Sequence, residues 1–112
     1  MPPARLSRYR NDILARIDAL AEADDQASSN RATVILDQQS VGRLSRMDAL
    51  QQQAMANATY RRRQGERARL QAALERIDDG SFGDCMDCGE AIPDERLALD
   101  PTVPRCLDCT RG

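Results

Sequence analysis

Four cysteines, the only ones in 112 residues, stand as two pairs: Cys85-Met-Asp-Cys88 and, seventeen residues on, Cys106-Leu-Asp-Cys109. Each Cys-x-x-Cys pair forms a tight turn that aims two thiolates at one point, and two such turns at this separation match a structural tetrathiolate zinc site. Two disulfides would close loops too small to stabilise much, and a dithiol redox centre calls for one pair beside a βαβ pattern, which is absent. Gly89, directly after Cys88, lets backbone N–H groups turn toward sulfur where a Cβ would obstruct them. One structural Zn²⁺ held by Cys85, Cys88, Cys106 and Cys109 is therefore expected.

The rest of the composition narrows what can surround that site. Hydrophobic residues make up 41% of the chain, but sixteen are alanine, and the aromatics are Tyr9, Tyr60 and Phe82 alone. Such a chain suits thin helix-on-helix packing with a metal-stapled module rather than a wide core. All sixteen basic residues are arginine, with no lysine or histidine. Zinc has no imidazole to recruit, and no catalytic step can use histidine. Four cysteines also close the coordination shell that a catalytic zinc would keep open, so no enzyme is expected.

Charge is unevenly placed. Residues 1–79 carry thirteen Arg against eleven acids, net +2, whereas residues 80–112 carry three Arg against seven acids, net −4. Four thiolates around one Zn²⁺ add a further −2 to the second segment. Phosphate backbones are bound by clustered Arg and Lys, so this distribution opposes sequence-specific DNA reading by the finger. The opening Met-Pro-Pro-Ala-Arg-Leu-Ser-Arg-Tyr-Arg lacks the apolar run of an export signal, and no stretch approaches a membrane span. Free thiols without an export signal point to a reducing cytoplasm.

Hydrophobic spacing predicts a mainly α fold: an antiparallel, coiled-coil-like helical hairpin over 1–79, then a small four-cysteine zinc finger over 80–112. Helix 1 is expected from about 4 to 27, with Leu6, Ile13, Ile17 and Leu20 at helical spacing. Ser28-Ser29-Asn30, three residues inclined to bond their own backbone, reads as a kink or short linker at 28–30. Thr33-Val-Ile-Leu36 reads as a helical turn or an extended segment. A reversal is expected at about 40–44, around Gly42. Helix 2 is expected over about 45–79, with Ser45 and Asp48 at its start and Gly80 as its stop. Met47, Leu50, Ala54 and Ala58 share one side of it, while Leu70, Leu74 and Ile77 lie well around the cylinder. Antiparallel pairing would set Val34 and Ile35 beside Met47, Ile13 beside Leu70, and Leu6 beside Leu74 and Ile77. In the finger, Phe82, Ile92, Leu97, Leu99, Val103 and Leu107 are the available apolar contacts. The run Arg61-Arg62-Arg63 reads as a solvated helix face or as a surface for an acidic partner or nucleic acid.

The run from Ile77 through Gly80, Phe82, Cys85-Met-Asp-Cys88-Gly89-Glu90 to Pro93 and Leu97, closing in Cys106-Leu-Asp-Cys109, resembles the DksA/TraR zinc-finger family. That resemblance implies a cytoplasmic bacterial transcription regulator that binds RNA polymerase through its secondary channel rather than promoter DNA, acting as a single copy, with ppGpp as a potential co-effector. It also implies functional acids where the helical hairpin turns, commonly in an Asp-x-x-Asp-x-Ala string. This chain lacks that string. Its nearest acids are Asp37 and Asp48, the latter followed by Ala49. The competing expectation is a nucleic-acid-binding finger protein using Arg61, Arg62 and Arg63.

Overall fold

The structure, a computed structural model, describes the backbone of residues 1–41 and 45–111 and the side chains of residues 1–28 and 45–111. Its elements are α1 (Pro3–Val41), α2 (Arg46–Asp79), α3 (Asp94–Leu99) and α4 (Leu107–Arg111), with an isolated antiparallel bridge between Asp84 and Ala91. The fold is mainly α. The chain divides into two compact units, one formed by Met1–Ile17 with Arg67–Gly112 and the other by Asp18–Glu66.

Pro3 opens α1 at the first helical position, where its missing N–H costs nothing. The helix does not stop at residue 27. It runs on through Ser28-Ser29-Asn30 to Val41, so the linker expected at 28–30 is helical backbone. Each of those residues is only about 0.5 kcal/mol worse than alanine in a helix interior, and propagating an existing helix tolerates that. The Thr33–Leu36 segment is helical for the same reason. Gly42 at the expected reversal, and the side chains of Val34, Ile35 and Asp37, lie outside the described residues.

Local chemistry fixes both ends of α2. At its start the Asp48 N–H donates to Ser45 Oγ at 3.1 Å, satisfying one of the free first-turn donors. At its end Gly80 takes φ +85°, and the Ser81 N–H returns to the Arg76 carbonyl at 2.9 Å, the six-residue closure of a Schellman motif. A left-handed residue with a Cβ is strained, whereas asparagine tolerates that region better than alanine. Gly80→Ala is accordingly expected to destabilise the chain by about 1–2 kcal/mol, and Gly80→Asn by clearly less. Thermal unfolding of the two variants checks this ordering; equal losses would show that the positive φ is not what the position requires.

In the unit formed by Met1–Ile17 and Arg67–Gly112, Ile13 of α1 and Leu70, Ala73 and Ile77 of α2 are buried with Phe82, Ile92, Leu97, Pro101 and Thr102 of the finger. Leu70, Ala73 and Ile77 follow i, i+3, i+7 spacing and so form one stripe. Leu6 and Leu74 are half-buried. The Tyr9 ring packs on Phe82 with centroids 5.3 Å apart, and its hydroxyl donates to Asp94 Oδ1 at 3.0 Å. Arg5 reaches the same carboxylate at 2.8 Å, and Arg10 pairs with Asp78 at 2.9 Å. Both ion pairs are exposed and contribute little beyond orientation. Two expected finger contacts are corrected: Leu99 is 83% exposed and Leu107 48% exposed, and Pro101 and Thr102 take the interior positions instead.

The Asp18–Glu66 unit is built differently. None of its described side chains is buried. Its seam joins α1 to α2 through Asp24, which accepts from Arg63 Nε and, at 2.9 Å, from Gln64 Nε2. Ala27 and Ser28 line a cleft with Ala56, Thr59 and Arg63, so the two helix segments run antiparallel. Met47, in contrast to its expected packing, is 77% exposed. At 100° per residue it lies opposite the Ala56, Thr59 and Arg63 side of α2, which is the side that meets α1.

Candidate metal centre

The first cysteine pair sits on a short hairpin. Cys85 N–H donates to the Glu90 carbonyl at 2.8 Å and Ile92 N–H to the Gly83 carbonyl at 2.7 Å, on either side of the Asp84–Ala91 bridge. Gly89 closes the turn with φ +76°, its N–H returning to the Cys85 carbonyl at 2.9 Å. The second pair is held by α4, where Thr110 N–H donates to the Cys106 carbonyl at 3.0 Å. Two links tie the turns together. Met86 N–H donates to the Pro104 carbonyl at 2.8 Å, and Arg105 Nε meets Asp87 Oδ2 at 2.7 Å.

These turns bring Cys85, Cys88, Cys106 and Cys109 to one place, their four sulfurs all within 4.8 Å of one another. None of the four is in a disulfide, and Cys85 is buried, Cys88 exposed and the other two half-buried. Cys88 Sγ lies 3.7 Å from Cys106 Sγ. A disulfide needs about 2.05 Å, whereas sulfurs about 2.3 Å from one tetrahedral ion stand about 3.8 Å apart. The donor set therefore fits one Zn²⁺, with a closed shell and a structural role.

The electrostatics agree with that fit. Backbone N–H groups of Cys88, Cys106 and Asp87 point at the Cys85 sulfur and pull its pKa down to about 6, despite its burial. Cys88 moves the other way: the Glu90 N–H favours its thiolate, but the neighbouring Cys85 and Cys106 sulfurs and burial outweigh that. Cys109 is pushed up by the sulfurs of Cys106, Cys85 and Cys88. The polypeptide favours the thiolate of Cys85 and opposes those of Cys88 and Cys109; ionising these beside it calls for a dication at the centre.

The other candidate residues are not gathered with the cysteines. Asp48 is exposed and Ala49 half-buried at the start of α2, Arg61 and Arg62 are exposed, and all belong to the Asp18–Glu66 unit. Arg62 donates to Thr59 Oγ1 at 3.1 Å, and Arg63 is half-buried against Asp24. Spacing alone did not single out Asp94, which anchors both Tyr9 and Arg5, or Asp100. The Asp100 carboxylate is held below its usual range: burial opposes ionisation, but the Thr102 hydroxyl and N–H both donate to it, and Arg16 and Arg69 add positive charge. Thr102 follows Asp100 by two residues, the spacing of an Asx turn. Among the described residues no helix is long and apolar enough to cross a membrane.

Comparison with known proteins bears on the finger most directly. Residues 80–112 match the prokaryotic dksA/traR C4-type zinc finger. A 41-residue stretch is 42% identical to the RNA polymerase-binding transcription factor DksA of Haemophilus influenzae, covering 37% of this chain and 28% of that protein. The protein of the same name from Escherichia coli K12 is 37% identical over 41 residues, again 37% of this chain and 27% of the relative. The matched segment thus spans less than a third of those relatives. Over nearly the whole chain, the fold is similar to that of transcription factor DksA2 from Pseudomonas aeruginosa, with a TM-score of 0.80, 22% identity, and coverage of 99% of this chain and 84% of that one. Four clustered sulfurs and a matching family model converge on the finger: residues 80–112 are a C4-type zinc finger of the prokaryotic dksA/traR kind, binding one structural zinc.

Proposed function

We propose that this chain is a bacterial transcription regulator that binds RNA polymerase, entering its secondary channel rather than reading promoter DNA. The carrying observation is the finger: relatives at 37–42% identity over 41 residues are RNA polymerase-binding transcription factors, and residues 80–112 match the dksA/traR C4-type zinc finger. In this reading zinc supplies no chemistry, and the protein has no catalytic residues. It holds the finger in shape. Asp48 and Ala49, exposed and half-buried at the start of α2, are the proposed effector contacts, as the described acid nearest the hairpin turn, where the resemblance implies functional acids, and the alanine that follows it.

Zinc-loaded chain immobilised on a resin is expected to retain purified bacterial RNA polymerase at low ionic strength. Asp48→Asn is expected to leave retention intact while weakening the effect on promoter initiation, measured with and without ppGpp. Absence of retention would overturn the polymerase reading, and an unchanged initiation effect would overturn the Asp48 assignment alone. The nucleic-acid reading is disfavoured by Arg63, which is committed to Asp24, and by the net −4 of the finger. It would return if the chain retarded duplex DNA with a steep salt dependence.

A further inference from the structure

The face of α2 turned away from its described seam within the Asp18–Glu66 unit carries exposed apolar side chains. Met47, Leu50, Ala54 and Ala58 fall within an arc of about 80°. Met47 is 77% and Leu50 60% exposed, and Met55 at the margin is 65% exposed. The opposite side of the helix, with Ala56, Thr59 and Arg63, is the one that meets Asp24, Ala27 and Ser28 of α1. Helices that pair in isolation normally point their largest apolar residues inward. Among the described residues the seam is polar and alanine-based, and the two methionines and the leucine are exposed.

Charge selects the occupant. Arg46 precedes the stripe and Arg61 and Arg62 follow it, about 22 Å further along the axis. Over residues 46–62 three arginines stand against one acid, Asp48, so the segment is net +2. A second copy is a poor match. Antiparallel self-pairing centred on Ala54 would bring Arg46 against Arg62 of the other copy, and parallel pairing would set like on like. A phosphate backbone is a poor match too, because about 20 Å of uncharged surface separates the arginines. We propose that this face is a docking surface for an acidic amphipathic helix of a partner protein, with apolar residues seated on Met47, Leu50 and Ala54 and carboxylates at its ends meeting Arg46, Arg61 and Arg62. The inference stands apart from the polymerase reading, and its test contains no polymerase.

The probe is a synthetic helical peptide with leucines along one face and glutamates flanking them, with a twin in which every glutamate is lysine. Fluorescence anisotropy on the full zinc-loaded chain is expected to show the acidic peptide binding at least ~10-fold more tightly than its twin, with the preference shrinking as salt rises. Leu50→Glu should weaken acidic-peptide binding ~10-fold or more, and joint Arg61→Glu and Arg62→Glu should remove or invert the preference. All three positions are exposed and glutamate is a good helix former, so unchanged circular dichroism would show each variant folded. Equal binding of the twins, or binding indifferent to Leu50→Glu, overturns the proposal. So does self-association in sedimentation that Leu50→Glu disperses, or Leu50-dependent binding to phosphatidylglycerol vesicles or duplex DNA that exceeds binding to the acidic peptide.

Discussion

Stripping zinc from the folded chain is expected to dismantle the unit formed by Met1–Ile17 and Arg67–Gly112. The buried finger residues Phe82, Ile92, Leu97, Pro101 and Thr102 all lie on loops or in the six-residue α3, and the segment is only 33 residues long. A segment of that size cannot bury enough surface to fold unaided. Zinc binding in comparable fingers supplies on the order of 10–16 kcal/mol, more than the net stability of a typical domain. Chelation, or Cys85→Ser, should therefore release Ile13, Leu70 and Ile77 from their finger partners and lower the melting temperature substantially. Tyr9 gives a local readout. Its phenol pKa is raised in the folded chain, by burial first and then by the Asp94 carboxylate that its hydroxyl donates to. Loss of the finger should return its titration toward the ordinary tyrosine value, seen in the ultraviolet spectrum. Unchanged melting and unchanged Tyr9 titration after complete metal removal would refute the metal dependence of this unit.

The second large effect separates two apolar residues that look alike in a hydropathy profile. Leu70 is 1% exposed among Ile13, Ala73 and Ile77, and truncating it leaves a cavity in a tightly packed place. Leu70→Ala is expected to cost about 2–5 kcal/mol, enough to lower the melting temperature by roughly 10 °C or more. Met47→Ala, at a position 77% exposed, should change stability by less than about 0.5 kcal/mol. Parallel thermal melts of the two variants decide the matter. Comparable losses would mean that Met47 is packed and that the outward orientation of its face is wrong.

What could be read from residues alone was the chemistry that acts over a few positions. The metal site follows from thiol spacing, because two four-residue turns leave the sulfurs little choice of geometry. The stop at Gly80 and the start at Ser45 follow from the orphan donors and acceptors of a helix end, which neighbouring residues must satisfy. Orientation over longer distances was not legible. The outward turn of Met47 and Leu50 depends on which side of α2 faces α1, and that side is marked by Ala56, Thr59 and Arg63, which carry no apolar signal. Likewise Asp24 meets Arg63 and Gln64 across about forty positions of sequence, a distance no local pattern spans. The continuation of α1 past Ser28 shows a third limit, since weak helix formers lower helix probability without setting a boundary.

The metal-bearing unit joins the first seventeen residues to the last forty-six, with Asp18–Glu66 between them. During synthesis Ile13 thus has no partner until Leu70 and Ile77 have emerged, and the fourth sulfur, on Cys109, leaves the ribosome later still. Closing a flexible loop of 49 residues costs about 3 kcal/mol in chain entropy, less if the intervening helices have already paired. Closing the four-sulfur shell therefore has to follow the emergence of Cys109, and without zinc the segments Met1–Ile17 and Arg67–Gly112 would lack the ion that staples their shared unit.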